Sequence, residues 1–136
     1  MAKFLTADDI LSAPDHVVQK TLETVGGVIN VRRITPAHRE KIDNFYKSFQ
    51  KDSEEKIIYR LFEYWCLIIE MTVVGEDGKT PIFQPGRVNK LADKDIEYYM
   101  DLQKVVSEEN PIGTKKDIKQ AKENLPETQP DVSDTN

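Results

Sequence analysis

The chain has 136 residues, 38% of them hydrophobic and 32% charged, which is enough for one modest core with a tail. Its formal net charge of −5 argues against a nucleic-acid binder, whose contact face is normally basic. The longest apolar run, WCLII, stops at Glu70, far short of the roughly 20 residues a membrane span requires.

The opening residues, MAKFLTADDI, turn acidic before any long apolar stretch develops, the pattern of a chain without an export signal. Residues 6–13 predict a short helix with Thr6 as N-cap and Asp8 and Asp9 in its first turn; Pro14 and Asp15 end it. Residues 17–34 read as a β-hairpin about Gly26-Gly27. With those glycines as a two-residue loop, Leu22 faces Val31 and Thr24 faces Ile29 on an apolar side. Glu23 then faces Asn30, and Thr21 faces Arg32, on a polar side. A one-residue slip would scramble this segregation.

Thr35-Pro36 signals a helix start, with proline at the first helical position. That helix is expected to reach about Gln50, with Ile42, Phe45 and Phe49 on its inner face. Ser53, followed by Glu54 and Glu55, predicts the cap of a long helix over 54–72. Ile57, Ile58, Leu61, Phe62, Trp65, Ile68 and Ile69 form its wide stripe, while Tyr64, Cys66 and Leu67 make the far end apolar nearly all round. Such an end is central to the fold or buried by a partner. Asp77-Gly78 marks a turn, and Pro81-Ile82-Phe83 a short extended piece. A last helix is expected over 93–107, capped by Asp93, with Ile96, Tyr99, Met100, Leu102, Gln103 and Val106 inside. Beyond Gly113 the composition is polar and carries two prolines, so residues 113–136 read as a disordered tail on a single domain, 1–112. The expected class is α+β, mainly α: one N-terminal hairpin packed on about three helices.

Catalytic chemistry finds little support in these residues. The lone Cys66 cannot form an intrachain disulfide and sits among Trp65, Leu67 and Ile68, which points to core packing and a reducing compartment. His16 and His38 adjoin turn signals and read as exposed loop or first-turn residues. There is no CxxC, HExxH or phosphate-binding glycine loop, so no enzyme, metal or cofactor site is expected. Arg32-Arg33 is the one basic cluster, with Arg39 and Lys41 nearby, and reads as a solvated strand edge. Binding another protein is what remains. Adjacent helical positions lie about 100° apart, so only one ring of Tyr98-Tyr99 can point fully inward. Tyr98 and Tyr99 therefore join Tyr64 and Trp65 as candidate partner-binding residues, a plain surface tyrosine being the alternative.

The order of these features resembles the tail assembly chaperones of long-tailed bacteriophages and prophages over residues 6–110. Val31, Arg32, Ile34, Thr35, Ala37, Arg39 and Glu40 match that family's strand-to-helix passage. Asp77, Gly78, Lys79 and Phe83 match its turn after the main helix, and Leu91, Asp93 and Asp95 its final block. The resemblance implies a protein that binds the tape measure protein in the host bacterial cytoplasm and keeps it soluble. It also implies help in recruiting tail tube protein subunits, in many members through a frameshifted longer form, and absence from the mature virion. A homo-oligomer sealing the apolar surface is a further expectation, with no nucleic acid, membrane or cofactor involved. The alternatives are a small phage or prophage adaptor acting on a host protein, or a structural head–tail component.

Overall fold

The computed structural model describes residues 2–49 and 51–112. It is α+β and mainly α: α1 (Ala7–Leu11), β1 (Val17–Leu22), β2 (Gly27–Arg32), α2 (Pro36–Ser48), α3 (Glu54–Thr72), β3 (Val73–Val74), a 3-10 helix (Arg87–Asp93) and α4 (Ile96–Glu109). The expected tail at 113–136 lies outside the described residues.

Thr6 closes α1 with a reciprocal box: its hydroxyl accepts from Asp9 N at 3.2 Å, and the Asp9 carboxylate accepts from Thr6 N at 2.9 Å. The hairpin forms in a different register from the expected one. Val31 pairs with Val18 and Leu22 with Gly27, a shift of four residues. The cause is local. The Leu22 carbonyl accepts from both Val25 N (3.2 Å) and Gly26 N (2.8 Å), closing a turn over 23–26. Gly26 takes the left-handed φ of 84° within that turn. Gly27 is thereby released to begin β2. Because strand side chains alternate with a period of two, an even slip leaves Leu22, Ile29 and Val31 on the inner face as expected.

The sheet has a third strand that the sequence reading lacked. Val73-Val74 continues directly from α3 and pairs antiparallel with β2 through Val31↔Val73 and Asn30↔Val74. β2 is therefore central, which corrects the reading of Arg32 as a solvated edge. The Arg32 Nε donates to the Met71 carbonyl at 2.9 Å and so satisfies a C-terminal group of α3. Arg33 is exposed.

α2 starts as expected, but His38 is part of its cap. Thr35 Oγ1 accepts from His38 N (3.1 Å), and His38 Nδ1 accepts from Thr35 N (3.2 Å). Burial, with the charges of Arg32 and Lys41, holds the His38 imidazole pKa below its ordinary value. His38 is half-buried, not the exposed residue expected. Ser53 stands at the N-cap of α3 yet makes no side-chain cap hydrogen bond. The 3-10 helix was also unforeseen. It is anchored by Val88, fully buried, and begins after Gly86, whose N–H donates to Glu70 Oε1 at 2.7 Å. It absorbs Leu91-Ala92-Asp93, so α4 starts at Ile96 with Asp95, not Asp93, as its cap.

The core gathers Leu22, Val31, Ile42, Phe49, Ile68, Ile69, Val73, Val88, Leu102, Val105 and Val106. The end of α4 is tied to β1 by Lys20, which reaches Glu108 and Glu109 at 3.0 Å each, and by a His16–Glu109 contact at 3.0 Å. Among the described residues no helix is long and apolar enough to cross a membrane.

A candidate partner-binding groove between two helices

α3 changes character along its length. Its C-terminal half carries Tyr64, Trp65, Cys66, Ile68, Ile69, Met71 and Thr72, all buried. This is the nearly all-round apolar end of the sequence reading, and it is enclosed by the protein's own elements. The N-terminal half has no such cover. Ile58 is 74% exposed, Tyr59 53% and Leu61 40%. α4 repeats the pattern: Leu102, Val105 and Val106 are buried, whereas Ile96 is 65% and Met100 55% exposed. Ile96 and Met100, expected inside, are thus at the surface, and Val105 takes an inner place. The reason is angular: the inner face of α4 is set by contact with the sheet as well as α3, so it rotates away from Ile96.

The two uncovered halves face one another. Ile58, Leu61, Phe62 and Trp65 recur at helical spacing along α3, opposite Ile96, Tyr99 and Gln103 on α4. Leu91, Ala92 and Lys94 close the third side of a groove of about 550 Å3. Phe62 and Tyr99 bridge the two helices, their ring centroids 5.0 Å apart, and Tyr59 tilts against Phe62 at 5.5 Å. Burial pushes the Tyr99 phenol up to about 12, so it stays neutral across the physiological range.

The four sequence candidates separate here. Trp65 is buried and contributes to the floor of the groove, and Tyr99 is a half-buried part of its wall. Tyr64 lies elsewhere, in a core of edge-to-face rings with Tyr46 (5.7 Å), Phe49 (6.4 Å) and Trp65 (6.1 Å). Tyr98 is half-buried beside Lys94, whose Nζ stands 5.7 Å from the ring centroid. Of the exposed apolar residues that make the surface, Ile58 and Leu61 belong to the stripe expected on α3, and Ile96 was expected on the inner face of the last helix. Periodicity places a residue on a stripe but does not say whether the stripe is wider than the elements available to cover it.

The polar groups at the groove are the Tyr59 and Tyr99 hydroxyls, the Lys94 ammonium and the Gln103 amide, suited to orienting a ligand at the rim. Cys66 lies buried, its thiol 3.8 Å from the Val88 carbonyl and its pKa raised by burial to about 12. Among the described residues no group of three or more His, Cys, Asp and Glu is placed to hold a metal ion. No protein-family model, curated protein or solved structure matches this chain.

Proposed function

We propose that this protein is a phage tail assembly chaperone that holds an apolar helical segment of the tape measure protein in the α3–α4 groove. The observation that carries the reading is that the exposed apolar residues Ile58, Tyr59, Leu61 and Ile96 line one groove. Isolated apolar residues are normal at a surface; a lined groove of them at helical spacing fits helix-in-groove recognition. The resemblance over residues 6–110 supplies the client. An acidic chain suits the task, since net charge keeps the complex with an aggregation-prone partner in solution. On this proposal the protein works in the host cytoplasm, helps recruit tail tube subunits, and leaves before the virion is complete.

The test is co-expression with the tape measure protein of the same tail. The chain should co-purify with soluble client. Ile58→Asp combined with Ile96→Asp should release the client while leaving the melting temperature nearly unchanged, because both side chains are exposed. An insoluble client beside a soluble wild-type chain would overturn the proposal, as would undiminished binding by the double variant.

A further inference from the structure

The groove does not end in neutral surface. On the 3-10 helix side it opens into a second cleft that contains Arg87, Lys90 and Lys94 beside Ile82 and Phe83. Leu91 and Lys94 line both depressions, so groove and cleft form one continuous surface. Three cations on one side are unexpected in a chain of net charge −5. A 3-10 helix has three residues per turn, so Arg87 and Lys90 stack on the same face, and Lys94 follows just beyond its end.

Among the described residues none of these cations is held in an ion pair, although the Lys94 ammonium also stands 5.7 Å from the centroid of the Tyr98 ring. The ion pairs among the described residues draw on Lys3, His16, Lys20, Arg39 and Arg60, and none involves Arg87, Lys90 or Lys94. The nearby carboxylates are mostly engaged: Glu70 accepts from Gly86 N, and Asp95 accepts from Glu97 N to cap α4.

Resting on the proposed chaperone reading, we infer that the segment taken up by the groove is an amphipathic helix with carboxylates flanking one side of its apolar stripe. The apolar residues seat between α3 and α4. The carboxylates lie over the cleft and meet Arg87, Lys90 and Lys94. From Ile58 to Trp65 the α3 wall is about 10 Å long at 1.5 Å per residue, so roughly two turns of the partner are gripped. The apolar contact provides affinity, and the cations select register and partner, since exposed charges contribute more to specificity and encounter than to tightness.

The probe is a set of three fluorescent, conformationally stapled helical peptides with one leucine stripe and a flank of Glu, Gln or Lys. Binding to the full-length chain is followed by anisotropy at low and high salt. The Glu peptide should bind tightest, roughly tenfold ahead of the Lys peptide for three exposed charge pairs, and high salt should compress the difference. Arg87→Glu with Lys90→Glu and Lys94→Glu should invert the order. Ile58→Ser, which removes apolar contact without adding charge, should weaken all three peptides alike. Equal binding of the peptides, or an order that survives charge reversal, overturns the inference while the chaperone reading stands on client co-purification. A groove filled by a second copy would also overturn it, and would appear in sedimentation as a dimer that Ile58→Asp dissociates. Loss of client co-purification in the wild type would remove the chaperone reading itself.

Discussion

Asn110 follows the last residue of α4 and is 3% exposed, and its side chain replaces a piece of missing sheet. Its Oδ1 accepts from Ile34 N at 2.9 Å, and its Nδ2 donates to the Arg32 carbonyl at 2.9 Å. The backbone just past β2 is thereby satisfied by one amide reaching from another element. Asn110→Ala removes both partners and strands a part-buried donor, Ile34 N, and a part-buried acceptor, the Arg32 carbonyl. Each such group costs about 1–3 kcal/mol, so with partial relaxation the loss should be roughly 2–4 kcal/mol. For a domain of this size that corresponds to a fall in melting temperature of roughly 10 °C. Urea unfolding followed by far-UV circular dichroism measures it, with an unchanged m-value showing that the native and denatured ensembles are otherwise alike. Asn110→Asp should do no better at neutral pH, because it keeps the acceptor but turns a carboxylate oxygen toward the Arg32 carbonyl. A loss below about 0.5 kcal/mol for Asn110→Ala, the size of an ordinary surface change, would refute the reasoning.

Cys66 should resist a thiol reagent such as DTNB in the native state, because burial both blocks access and pushes its pKa up to about 12. Labelling should appear only along the urea transition; rapid native-state labelling would contradict the burial. Asp77 should titrate far below an ordinary carboxylate. The Thr80 hydroxyl, with the backbone N–H groups of Thr80 and Lys79, draws it from 3.8 down to about 2. A depressed folded pKa means that this carboxylate stabilises the fold above its unfolded value, and that the contribution fades as pH falls from about 3.8 toward about 2. Carboxyl-carbon NMR should place its midpoint near 2, and Thr80→Ala should raise it; an ordinary midpoint in the wild type would show that the turn does not form.

Local signals in the sequence were enough for the helices. Thr6, Thr35-Pro36 and the acidic start at Glu54-Glu55 mark starts that the structure keeps, and α3 spans 54–72 as its periodicity requires. These signals survive because caps and stripes act within a few residues of chain. The hairpin register failed for an equally local reason: a turn closed on the Leu22 carbonyl competed with the Gly26-Gly27 loop, and the period of two could not tell an even slip from none. β3 is two residues long, too short for any periodicity, and exists because β2 offers a free edge where α3 ends. The 3-10 helix depends on Val88 finding the core and on Glu70, 16 residues away, holding Gly86, so its determinants lie outside its own stretch of chain.

The candidate site divides the same way. Sequence alone determined that this is an acidic chain with a strongly apolar central helix and tyrosines near the start of the last one. Whether each apolar residue is core or surface was decided by how much area α2, the sheet and the 3-10 helix could cover. They enclose the C-terminal half of α3, including Tyr64, and leave Ile58 and Leu61 uncovered opposite Ile96. Burial is a property of the whole packing arrangement, so no window of sequence contains it.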